Sequence, residues 1–245
     1  MGIRIHTNTS ITMSTPIHMS KIDFELLQLN DSTFPIGAYT LSWGLETFVQ
    51  QKIINDSQTA LEYLESELNS SFLSNELLPV RLSYEYAAKG QLDKVFEIDE
   101  IYNAAKNAKE IRVGSKKIAA RFFKTVSLLK SGGEGKPDEM FEKLSRLSHF
   151  PVIYGAYCAL KKIPVEDALK TFLYSQFSAR VTTLVKLIPL SQNEGQKILH
   201  SLFEDFNQIV LDVEKLGEDD LCRSCPSNEI RGMQHEYLYT RLYMS

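Results

Sequence analysis

At 245 residues, 43% hydrophobic and 24% charged, the chain is long enough to bury one sizeable core and has an ordinary globular composition. A net charge of −4, with no basic stripe interleaved with aromatics, excludes the clustered Lys and Arg that a nucleic-acid backbone demands. Three cysteines, an odd number, point to a reducing compartment rather than a disulfide framework, and no uncharged apolar run approaches the ~20 residues needed to cross a bilayer.

Residues 1 to 20 are rich in Thr and Ser and lack the apolar block of a signal peptide. Gly2 follows Met1, but His6 stands where myristoylation needs Ser or Thr. A flexible leader over 1–20 ahead of a helical domain over 21–245, with the cytoplasm as the default location, is the expectation.

The stretch Asn30 to Tyr39 places two turn-forming clusters around an apolar pair, so this loop must be held in shape by packing. It is either a plain helix connection or a contact surface. Leu41, Leu45, Phe48 and Val49 then recur at helical spacing, and Tyr39 and Trp43, four apart, would line the outer face of that helix. Asn55, Asp56 and Ser57 can cap the next helix, whose stripe is Leu61, Leu64, Leu68 and Phe72.

Asn75 to Lys89 reads as a further helix that Pro79 kinks or delays and Gly90 ends. A long helix is predicted over Ala108 to Lys130. Within it Glu110 and Arg112, two apart, cannot meet on one face and are each expected to pair at i±3 or i±4. Ser131 to Pro137 is the clearest loop and a connection within one domain.

Asp138 to Ser148 is a short helix, Pro151 opens another and Pro164 a third, since a first-turn position needs no N–H. Ser191 to Glu194 is a capping box before the stripe Ile198, Leu202, Phe206, Ile209, Val213, Leu216, which Gly217 is expected to terminate. With no long alternating pattern and no repeat, the prediction is all-α: a compact single-domain bundle of roughly eight to ten helices.

Candidate chemistry is sparse. Gly135 and Lys136 imitate the end of a phosphate-binding loop, but Pro137 replaces the required hydroxyl and Lys130 the first glycine. Cys222 and Cys225 have metal or redox spacing with His235 close behind, yet a zinc site wants four ligands and a thioredoxin-like pair wants a βα junction. His149, beside Phe150 and Pro151, suits packing or capping better than base catalysis, because no nucleophile and orienting acid lie near it. Glu218, Asp219 and Asp220 read as a solvated loop.

The last eleven residues, His235 to Ser245, carry three tyrosines, two leucines, a methionine and Arg241, the mixture that dominates buried interface centres. Ile230, Met233 and Tyr237 fall on one stripe, so these residues either close the chain's own core or meet a partner. Nothing beyond Tyr239 stops the helix, and nothing follows to cover Leu242 and Tyr243. Burying each would be favourable by roughly 1.5 to 3 kcal/mol.

Four segments together resemble the urease accessory protein UreF family: Leu26 to Glu46 (LLQLNDSTFPIGAYTLSWGLE), the helix with Glu110 and Arg112, the pair His149 to Gly155 (HFPVIYG) and Ile188 to Gln196 (IPLSQNEGQ), and the end His235 to Ser245 (HEYLYTRLYMS). The similarity keeps order and spacing over about residues 22 to 245. It implies an all-helical, non-enzymatic assembly factor without a cofactor or resident metal. Such a protein would be a homodimer that binds a UreD/UreH-type accessory protein and recruits the UreG-type GTPase, so that nickel reaches the urease apoprotein through the complex.

For such a protein two contact surfaces are expected, one at Phe34, Pro35, Gly37, Tyr39, Trp43 and Glu46 in the first segment. The other, motivated by the uncovered apolar groups of the tail, is at Tyr239, Arg241, Leu242 and Tyr243, which would be flexible alone and ordered on a partner. Ala38, Leu41 and Trp43 stand where family members often have a glycine, a histidine and a small residue, so no role of that histidine carries over. The competing class is a redox or metal-binding helical protein using Cys222, Cys225 and His235.

Overall fold

The computed structural model describes residues 23–130, 139–223 and 225–244, and the leader and the Ser131 to Pro137 loop lie outside the described residues. Eleven helices and no strand occur among the described residues, so the all-α expectation holds and the count exceeds it by one.

Helix α1 (Phe24–Leu29) starts where Asp23 accepts the N–H groups of Glu25 and Leu26. Helix α2 (Leu45–Gln50) starts later than the periodicity predicts: Ala38–Thr40 is a 3-10 turn, and Trp43 and Gly44 both take positive φ, 55° and 87°, which no helix tolerates. Tyr39 and Trp43 therefore do not share a helix. Tyr39 is exposed, whereas Trp43 is half-buried with the Arg180 guanidinium 5.9 Å from its ring.

Helix α3 is continuous where two were expected. Ser57–Glu67 is capped by the Asp56/Thr59 box, Leu68–Leu77 takes the wider i→i+5 pattern, and Leu78–Ala88 resumes the α pattern. Pro79 supplies no N–H, and the π segment just before it carries the helix through rather than breaking it. Gly90, at φ 73°, then ends the run as expected.

The remaining helices are α4 (Leu92–Ala105), α5 (Lys109–Lys130), α6 (Glu139–Lys143), α7 (Phe150–Leu160), α8 (Val165–Leu187), α9 (Gln192–Ser201), α10 (Phe203–Val213) and α11 (Pro226–Gln234). Pro151 lies in the first turn of α7 and Pro164 caps α8, as their missing N–H predicts. The Ser191/Glu194 box caps α9 reciprocally, at 3.2 and 2.8 Å. The stripe beyond it is split at Leu202 into two helices, and α10 ends at Val213 rather than at Gly217, whose φ of −116° is ordinary extended backbone.

The buried apolar side chains form one connected core. Helix α7 is buried along nearly its whole length, and its Gly155 lies flush against the Val80 carbonyl of α3. Around it Phe122, Phe150, Tyr154, Tyr157 and Phe172 pack tilted or edge-on at 5.1 to 6.1 Å between ring centroids. A buried ion pair crosses this core, with Arg180 of α8 gripping Glu67 of α3 through Nε at 2.9 Å and Nη2 at 3.1 Å. Such a bidentate pair fixes register between two helices more than it adds net stability. No helix among the described residues is long and apolar enough to cross a membrane.

Candidate functional site

The C-terminal segment returns to the body at α2. Gly44 and Gly232 make this approach possible: a Cβ on Gly44 would stand 3.3 Å from the Gly232 nitrogen, and one on Gly232 would meet Ile111 Cδ1 at 2.6 Å. Helix α11 thus lies in a notch between α2 and α5, where the Thr47 hydroxyl donates to the Arg231 carbonyl at 3.0 Å.

His235, just past α11, is fully buried between two carboxylates. Its Nδ1 lies 2.6 Å from Glu110 Oε2 on α5 and its Nε2 lies 3.1 Å from Glu46 Oε2 on α2. When both nitrogens carry protons the ring donates to both acids at once. Glu110 also accepts from Arg241 at 2.7 Å, through its other oxygen. Neither Glu110 nor Arg112 pairs along its own helix as expected, since Arg112 donates to the Lys106 carbonyl and Glu110 reaches residues more than a hundred positions away.

The last residues are neither helical nor loose. After the 3-10 turn His235–Tyr237 the chain turns back, and Glu46 accepts the backbone N–H groups of Leu242 at 2.7 Å and Tyr243 at 3.2 Å. Met244 N–H donates to the Thr40 carbonyl at 2.8 Å, and Gln50 Nε2 donates to the Thr240 carbonyl at 2.7 Å. The helix expected through Tyr239 gives way because the Thr40 carbonyl and the buried Glu46 carboxylate accept the backbone N–H groups of Met244, Leu242 and Tyr243 instead.

The two surfaces singled out in the sequence are therefore one region, joined at Thr40 and Glu46. Within it Glu46 is 2% exposed and Gly37 and Phe34 are buried; these three shape the region from within. Pro35, Tyr39, Tyr239, Arg241 and Leu242 face outward, with Tyr239 fully exposed and Leu242 75% exposed, while Tyr243 is half-buried. Beside Tyr39 runs a groove of about 540 Å³ whose lining includes Leu27, Phe34, Ile36 and Tyr174. Sequence reading missed Thr40, Gln50 and the partners of Glu110. Only the last left a trace: Glu110 has Val113 and Gly114 at i+3 and i+4, while Lys106, at i−4, precedes the helix and pairs with Glu76.

The cysteines sit elsewhere in chemical terms. Burial pushes the Cys222 thiol up to about 11 and the Cys158 thiol up to about 12, so both are poor nucleophiles. Cys222 N–H is spent on the Ser74 carbonyl, and among the described residues no three His, Cys, Asp or Glu side chains gather in a metal-holding arrangement. His149 is a packed histidine: its ring contacts Ser115 and Asn103, each at 3.2 Å, while Asp99 accepts its backbone N–H.

The family model for UreF matches residues 54–203. Among curated relatives, the urease accessory protein UreF of Haemophilus influenzae (strain 86-028NP) is 35% identical over 226 residues, covering 90% of this chain and 94% of that protein. The namesake proteins of Actinobacillus pleuropneumoniae serotype 5b (strain L20) and of Bacillus sp. (strain TB-90) are 34% and 30% identical, each covering 90% of this chain and 97% of their own length.

Proposed function

The chain belongs to the urease accessory protein UreF family, and from that premise we propose that it is a non-enzymatic, dimeric scaffold of the cytoplasm that works in urease maturation. Its tail, through Tyr239, Arg241, Leu242 and Tyr243, binds a UreD/UreH-type accessory protein. The region from Phe34 to Glu46, with Tyr39 outermost, contributes a second contact surface for recruiting the UreG-type GTPase, so that nickel is delivered to the urease apoprotein.

The observation that carries this reading is the combination of a pinned backbone with uncovered apolar side chains. Residues 240 to 244 are held by hydrogen bonds, yet Tyr239 and Leu242 point into solvent. Leaving such side chains in water forgoes burial worth roughly 1.5 to 3 kcal/mol each, which a protein partner would recover. Deleting Thr240 to Ser245 abolishes co-purification with the accessory partner; unchanged co-purification refutes the tail assignment. Tyr39→Ala lowers nickel-dependent urease activation while the helical circular dichroism stays intact.

The alternative redox or metal reading loses its third member, because His235 is already committed to Glu46 and Glu110. Replacing Cys222 and Cys225 together by Ser leaves urease activation intact on the scaffold reading, and a loss of activation would restore the alternative.

A further inference from the structure

We infer that Glu46 is the positioning residue of the C-terminal tail, setting the pose in which Tyr239 and Leu242 are offered to the accessory partner; this rests on the tail assignment proposed above. Glu46 is enclosed in the first turn of α2, and its two oxygens face two fixed donors, the backbone N–H groups of Leu242 and Tyr243, and His235 Nε2, which donates when it carries the proton. A buried carboxylate that accepts on both oxygens is satisfied, and each such charge-assisted bond is stronger than a neutral one. Removing the acceptor would strand the Leu242 and Tyr243 N–H groups, whose hydrogen bonds run to Glu46.

Glu110 also contacts His235 but differs in kind. Its two partners are His235 Nδ1, which can donate or accept according to the ring tautomer, and the half-exposed Arg241 guanidinium. A glutamine at 110 can therefore give its N–H to a neutral His235 and keep its oxygen for Arg241. At 46 the same exchange cannot be accommodated. His235 can reverse its proton, but backbone N–H groups cannot, so one oxygen would remain for two of them and the amide NH₂ would press against Leu242 or Tyr243.

Two nearly isosteric substitutions should thus have unequal effects. In full-length protein co-expressed with the UreD/UreH-type partner, Glu46→Gln weakens capture roughly ten-fold and raises amide exchange roughly ten-fold at residues 242 and 243, with helical circular dichroism unchanged. Glu110→Gln leaves both close to wild type. Equal damage from the two variants, or wild-type capture and exchange in Glu46→Gln, overturns the inference.

The deletion of Thr240 to Ser245 separates this from the underlying assignment. If the deletion still captures the partner, the tail assignment fails and the inference with it; if the deletion loses capture while Glu46→Gln keeps it, only the role of Glu46 falls. Should Glu46→Gln not fold, wild-type exchange decides: protected amides at 242 and 243 support the clasp, and exchange at the rate of an unstructured peptide refutes it.

Discussion

Two buried histidines sit in opposite surroundings, and the contrast separates the part of this molecule that holds its shape from the part that presents a surface. His149, at the start of α7, touches neutral groups through its ring, Ser115 and Asn103, and packs at a tilt against Tyr102 at 4.8 Å between centroids. Burial, with Lys116, Lys106 and Arg112 nearby, holds it down to about 3. His235 is equally buried but lies between two carboxylates that come from α2 and α5. The first histidine is held neutral by its pocket. The second is the hub of a polar junction through which the tail is tied down.

The contrast is broken most severely by adding a single methyl group on each side. At Gly155 a Cβ would stand 2.2 Å from the Val80 carbonyl oxygen, a backbone atom that cannot step aside. Gly155→Ala should cost about 3 kcal/mol or more in urea unfolding and separate α7 from α3. At Gly232 the obstacles are the end of Ile111 at 2.6 Å, which can rotate, and the Ala108 Cβ at 3.0 Å, which has to give by only a few tenths of an ångström, so Gly232→Ala should cost about 1 to 2 kcal/mol, less than Gly155→Ala, and act mainly on α11 and the tail. Equal costs would mean that the two junctions are packed alike, contrary to the comparison.

A pH series sharpens it next. The folded state holds His149 at about 3 against an ordinary 6.5, so between those values the unfolded chain binds a proton that the folded one refuses. Stability is present above pH 6.5 and is lost as pH falls toward 3, at up to about 1.4 kcal/mol per pH unit from this group. Asp99 acts in the opposite sense, because burial raises its carboxyl against the pull of the Ser148 and His149 N–H groups. Comparing wild type with His149→Gln isolates the histidine: the wild-type advantage at pH 7 should shrink steadily by pH 4. A constant difference would place a charge on His149 in the folded core.

What the sequence made legible follows the same division. Helix starts marked by local chemistry, the Asp56 and Ser191 caps and the prolines at 151 and 164, were readable because every participant lies within three or four residues. The start of α2 was misplaced because left-handed backbone at Trp43 and Gly44 leaves the apolar spacing of Leu41 and Leu45 undisturbed. The stripe through Leu202 continues across the break between α9 and α10 for a like reason: burial sets the spacing, and the break lies in the backbone. Glu110 shows the limit. Its partners lie 125 and 131 positions along the chain, and no periodicity encodes a pairing of that separation.

The smallest effect expected is at Arg241. Its ion pair with Glu110 is 2.7 Å long, but the arginine side chain is 40% exposed, so solvent screens the attraction and the flexible side chain surrenders entropy to make it. Arg241→Ala should therefore shift the urea midpoint by less than about 1 kcal/mol equivalent. It also leaves the Glu46 oxygens on the Leu242 and Tyr243 N–H groups, so amide exchange at those two positions should rise far less than in Glu46→Gln. If Arg241→Ala instead releases the tail as fully as the change at Glu46, then the exposed ion pair carries the junction and the buried carboxylate merely accompanies it. The tail would then be held from its outer side, where salt reaches it, and raising the ionic strength alone would free it.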